Sequence, residues 1–160
     1  MVEFNKLTKN GDVVKRACGG LTAFQLKYQA QSCIDEDKPD TVIISAGTNN
    51  FTKKKHQTAC DVVSEAVEIV KTCQCGGVEN IFMSSITCRP SHQRMVNEVN
   101  ELLRFNSGIY GYTFIDNEDI REEHLRDDGV HLNQMGINIL ANNFLTHLNR
   151  RSLLPPDWDD

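Results

Sequence analysis

The segment Thr41-Val42-Ile43-Ile44-Ser45 constrains the fold of this chain more than any other. Its apolar centre shows no polar alternation, as expected of a strand covered on both faces, and strands of that kind belong to parallel sheets lying between helices. The flanking sequence agrees. Val13 to Cys18 reads as an earlier short strand closed by Gly19-Gly20, Asn80 to Ile86 as a later one centred on Ile81-Phe82-Met83, and Tyr112 to Ile115 as the last.

Helical patterns alternate with these strands. Thr22 offers a side-chain oxygen to cap a helix from Ala23 to Cys33, and Pro39-Asp40 marks the loop after it. From Gln57 to Cys73 the apolar positions Ala59, Val62, Val63, Ala66, Ile69, Val70 and Cys73 recur at helical spacing until Gly76-Gly77. Arg94 to Phe105 reads as a helix with Met95, Val99, Leu102 and Leu103 inward, and Gln134 to Asn149 as one with Ile137, Leu140, Ala141, Phe144, Leu145 and Leu148 on one stripe. Four alternations of strand and helix predict an α/β protein with a parallel sheet wound on both faces. Residues 1–149 are expected to form a single domain, and 150–160 a fraying C-terminal tail.

The bulk charge narrows the partners. Seventeen Lys plus Arg against 22 Asp plus Glu give a formal charge of −5, which disfavours nonspecific nucleic-acid binding. No apolar run approaches the roughly 20 residues of a membrane span, and Met1 to Asn10 lacks the apolar core of a secretory signal, so a soluble cytoplasmic protein is expected. In that compartment the six cysteines are expected to be free thiols. Cys73-x-Cys75 lacks the spacing and ligand number of structural zinc, and Cys60 and Cys73 read as core residues on the inward stripe of one helix. Lys53-Lys54-Lys55-His56 reads as a solvated basic face that favours, at most, an anionic group. No cofactor or metal enters this reading.

Three fragments carry chemistry: Gly19-Gly20-Leu21-Thr22, Gly47-Thr48-Asn49-Asn50, and Asp128-Gly129-Val130-His131-Leu132-Asn133. Each follows a predicted strand or lies in the loop before the last helix, the edge where open parallel sheets bind ligands. An Asp beside a His is the base half of a hydrolytic triad. Asp127 adjoins Asp128, and spacing alone does not choose between them. In this order the fragments resemble the Gly, Asn and Asp-x-x-His blocks of the SGNH, or GDSL-like, hydrolases from Val13 to Leu148.

The resemblance implies a flavodoxin-like doubly wound sheet and a small ester substrate. It makes His131 the general base and Asp128 its orienting partner, with the Gly20 amide and the Asn49 side chain as oxyanion donors. Asn50 replaces the Asp usual in its block, a change expected to affect the turn more than the chemistry. The family's nucleophile lies in a Gly-Asp-Ser block after a first strand that precedes the glycine block. Met1 to Asp12 contains no serine, and Thr8 is its sole hydroxyl. The sheet is therefore expected to lack its first, internal strand, through truncation of the gene product, a shortened isoform or a degraded copy. Ser45 and Ser84-Ser85 read as ordinary polar residues at strand ends. The resulting expectation is an ester-hydrolase-like protein, weak or inactive as found; the alternative is a non-catalytic binding or assembly module of mobile-element origin.

Overall fold

Thr22 opens the first helix of the computed structural model, which describes residues 21–53 and 57–151. The expected strand Val13 to Cys18, Gly20 and the residues from Ser152 onward lie outside that range. Helix α1 (Ala23–Asp37) starts from a capping box in which Thr22 Oγ1 accepts from Gln25 N–H while the Gln25 side chain accepts from Thr22 N–H. It runs beyond the expected end at Cys33 and stops when Lys38 turns left-handed at φ 47°, because Pro39 disfavours helical backbone in the residue before it.

Strand β1 (Thr41–Ile44) follows, then a four-residue helix α2 (Asn50–Lys53), then α3 (Ala59–Cys75), whose Thr58–Asp61 capping box starts it just after the expected position. Strand β2 (Asn80–Ser84), a short 3-10 turn at Pro90–His92, helix α4 (Gln93–Tyr110) and strand β3 (Thr113–Ile115) come next. A second 3-10 turn at Glu122–His124 precedes α5 (Gln134–Arg150). Arg150 is thus helical, contrary to the expected tail. Arg151 anchors the end of the helix on the sheet, donating to Thr113 Oγ1 at 3.0 Å and lying over the Phe82 ring.

The strands form a parallel sheet in the order β1-β2-β3, with Val42 opposite Ile81 and Met83 opposite Phe114. Side chains alternate between its faces. Val42, Ile44, Ile81, Met83 and Phe114 pack with α1, α3 and α4, whereas Ile43, Phe82 and Ile115 pack with Leu140, Phe144 and Leu148 of α5. Contact with helices on both faces explains why the β1 run carries no polar alternation, although within it Ile44 alone is fully buried.

The stripe read for α3 is buried as expected. Cys60 is not: it is exposed, because the first turn of α3 turns this position away from the sheet. On α4 the inner positions are Val96, Val99 and Leu103, while Met95 and Leu102 sit half-buried at the margins of the stripe. The cysteines among the described residues are free thiols. No helix among the described residues is long and apolar enough to cross a membrane.

Candidate active site

Asp128 and His131 meet within one tight turn. Gly129 takes φ 67°, which brings the chain back so that Asp128 Oδ1 accepts from the amides of Val130 and His131, each at 2.9 Å. The other oxygen, Oδ2, lies 2.5 Å from His131 Nδ1. Asp127 is exposed, and it is Asp128 that holds the ring. An antiparallel bridge between Leu125 and Leu132 closes the loop, and Asn133, the cap of α5, ties it down by donating to the Glu123 carbonyl.

The His131 hydrogen bond, followed by the two backbone amides, holds the Asp128 carboxyl well below the usual carboxylate range. The His131 side chain is 72% exposed. With Nδ1 occupied by Asp128, its Nε2 is the nitrogen left to exchange a proton with a ligand.

The loop after β1 is held by longer connections. Gly47 adopts φ 108°, and a Cβ there would come within 3.1–3.2 Å of Ile86 and Val62 side chains, so the loop passes close against the core. Asn49 Nδ2 donates to the Leu21 carbonyl at 2.9 Å, joining this loop to the entry of α1. Asn50 is fully buried: Oδ1 accepts from Ala23 N–H at 3.0 Å, and Nδ2 donates to Gln57 Oε1 and Glu65 Oε2, both at 2.7 Å. Accepting from a backbone amide is the part that Asp would share. Donating to a carboxylate is not.

Arg89, just past β2, braces the same loop from the other side. Its Nη1 donates to the carbonyl and, at 3.0 Å, to the hydroxyl of Thr48. The guanidinium also lies 5.8 Å over the Phe51 ring, which stacks on His92. Burial lowers the Arg89 pKa. Sequence reading passed over this arginine; its signal was a lone charged residue, before a proline, at the carboxyl end of a buried strand.

The structure therefore joins Asp128 to His131 and fixes Asn49 by its bond to Leu21, without a hydrogen bond between Asn49 and the pair. Both loops lie beyond the carboxyl ends of parallel strands and hence at the same edge of the sheet. Gly20 lies outside the described residues. Ser84 and Ser85 are buried in a network with Asn117: Asn117 Nδ2 donates to Ser84 Oγ at 2.8 Å and Asn117 N–H to Ser85 Oγ at 2.9 Å. Asn143 of α5 closes it by donating to Asn117 Oδ1. Ser45 is exposed. A different serine, Ser91, has its Oγ 2.8 Å from His92 Nδ1 at the start of α4. Among the described residues no cluster of His, Cys, Asp or Glu can hold a metal ion.

No protein-family model matches the chain, and no curated protein sequence does. Solved structures do. An acylhydrolase from Bacteroides fragilis is 17% identical with a TM-score of 0.80, covering 93% of this chain and 79% of its own. A GDSL-like lipase from Bacteroides thetaiotaomicron is 14% identical with a TM-score of 0.77, covering 93% and 80%. An acetyl esterase variant with a bound acetate ion is 16% identical with a TM-score of 0.77, covering 93% and 88%. At these identities the likeness is one of fold, and it agrees with the parallel sheet wound on both faces: the chain has the SGNH/GDSL-like hydrolase fold.

Proposed function

We propose that the chain is an ester-hydrolase-type domain in which Asp128 and His131 form the base arm and Asn49 is an oxyanion donor. The observation that carries this reading is the Asp128–His131 pair itself. One carboxylate oxygen is fixed by two backbone amides and the other holds Nδ1 of an imidazole that is otherwise open to solvent. That is the arrangement in which a neutral imidazole takes a proton through Nε2 and the carboxylate stabilises the imidazolium. Asn49 retains a second amide hydrogen beyond the one given to Leu21, so its side chain can donate to an oxyanion without titrating. The Gly20 amide would be a further donor.

The substrate class is a small acyl ester, as in the esterases and acylhydrolases that share the fold. No Gly-Asp-Ser sequence occurs among the 160 residues. Ser84, the last residue of β2, and Ser85 after it are committed to the Asn117 network and bond no imidazole. The polypeptide of this sequence is therefore a weak or inactive esterase that keeps the base and an oxyanion donor.

Hydrolysis of p-nitrophenyl acetate, compared among wild type, His131→Ala and Ser91→Ala, tests the reading together with labelling by a fluorophosphonate serine probe. The expected result is no labelling and no turnover that depends on His131. Rapid labelling with turnover lost in His131→Ala would overturn the loss of the nucleophile. Turnover lost in Ser91→Ala but retained in His131→Ala would move the chemistry to α4 and overturn the assignment of the base. The tautomer is a separate check. Nitrogen NMR at neutral pH is expected to find the proton of neutral His131 on Nδ1, and a loss of that preference in Asp128→Asn; an Nε2-protonated ring in wild type would contradict the base-arm geometry.

A further inference from the structure

Helix α4 buries Val96, Val99 and Leu103 yet leaves large apolar side chains in water at its far end. Phe105 is 74% exposed, Ile109 63% and Tyr110 37%, three of the six exposed large apolar residues among those described, and all in the last two turns of one helix. Single exposed apolar side chains are ordinary, whereas a contiguous set marks a contact surface. This set is contiguous. Phe105 and Ile109 stand four apart and so on one face, and Leu102 and Tyr110 carry the apolar surface into a groove shared with Val63, Val67, Glu68 and Lys71 of α3.

The groove holds about 240 Å³, below the roughly 300–1,000 Å³ of small-molecule sites, and suits the entry of a side chain. Gly108 is an independent sign of an outside partner. A Cβ there would meet nothing within 4 Å, so no described residue requires a glycine that weakens the helix relative to alanine. Beside two exposed apolar residues, it lets the backbone of another helix come close.

Charge selects the partner. At the rim of the groove Lys71 Nζ lies 3.2 Å from Glu68 Oε1 and 5.8 Å from the centre of the Tyr110 ring. An acid and a base one turn apart are complementary to the same pair reversed, and reversal is what an antiparallel copy supplies. Such a copy sets Glu68 against Lys71 and Phe105 against Ile109, each contact occurring twice across a two-fold axis.

We propose that this face binds a second copy of the chain, α4 against α4 and antiparallel, with Phe105 of each copy on Ile109 of the other and Glu68 beside Lys71. The pairing leaves the candidate site open. Helix α4 ends at Tyr110, just before β3 begins, so the face lies toward the amino edge of the sheet, whereas the loop carrying Asp128 and His131 follows the carboxyl end of β3. The proposal is therefore independent of the ester-hydrolase reading.

Sedimentation velocity of the full chain across a range of concentrations tests it without any hydrolysis. Wild type is expected to pass from monomer to dimer as concentration rises. Phe105→Glu and Ile109→Lys, both at exposed positions and checked for folding by thermal melts, are each expected to weaken the dimer about tenfold. An equimolar mixture of the two variants is expected to recover it, because the new carboxylate then meets the new ammonium on one side while Phe105 still meets Ile109 on the other. A wild type that stays monomeric up to its solubility limit would overturn the proposal. So would a dimer that neither variant weakens, or a mixture that stays as monomeric as its components.

Discussion

Asn50 uses its two side-chain atoms for opposite purposes, accepting from α1 through Oδ1 and donating to Gln57 and Glu65 through Nδ2. Replacing it with Asp removes the donor and sets a second carboxylate against Glu65 in a fully buried position. Asn50→Asp is expected to lose about 2–4 kcal/mol of stability in urea denaturation at neutral pH. Adding Glu65→Gln should recover part of that loss, and strictly additive effects would show that the two side chains are not coupled. Asp128 supplies a pH dependence of known sign. Its folded pKa is depressed, so its contribution is present above the unfolded value of about 3.9 and is lost as pH falls through the folded pKa. Denaturation midpoints measured down the acid range should therefore fall less steeply in Asp128→Asn than in wild type, and parallel curves would contradict the assignment. The Asp-x-x-His pair was legible at this scale because its bonds close within a single turn. The choice of Asp128 over Asp127 was not, because either carboxylate satisfies the pattern until the turn is built.

Helix α5 shows how one element sets the site. Its cap, Asn133, accepts from Gly136 N–H at 3.0 Å, and Gly136 packs so closely that a Cβ there would lie 2.4 Å from the His124 carbonyl oxygen. The obstacle is backbone and cannot rotate away. Gly136→Ala is expected to lower stability by about 1–3 kcal/mol and to shift amides between residues 122 and 137, moving the loop that holds His131. A thermal melt with an amide spectrum checks both; an unchanged melt would mean that the 3-10 turn yields easily. Element types were readable where a period repeats over several turns, as on α3. Helix α2 was missed because four residues carry no period, and α4 was read with Met95 and Leu102 inward because half-buried margins look like core in sequence.

Across the whole molecule, Cys73 reports the integrity of the packing. It is fully buried between α3 and the sheet, and burial pushes its thiol up to about 11, whereas Cys60 and Cys75 are exposed. Thiol labelling at neutral pH should modify Cys60 and Cys75 at once and Cys73 only at the rate of opening of this core, slowing further as pH is lowered toward 6. Labelling of Cys73 as fast as Cys60 would show that this core opens locally. The order of strands and helices, the apolar run of β1 and the pairing of an acid with His131 were legible in the chain, because each depends on neighbours a few residues away. What surrounds them was settled by tertiary packing. Asn50 meets Ala23 across 27 positions, and Arg89 meets Thr48 across 41. Partners so distant are chosen by the packing of helices on a sheet and leave no period in the chain, which is why the buried guanidinium that holds Thr48 became visible only in three dimensions.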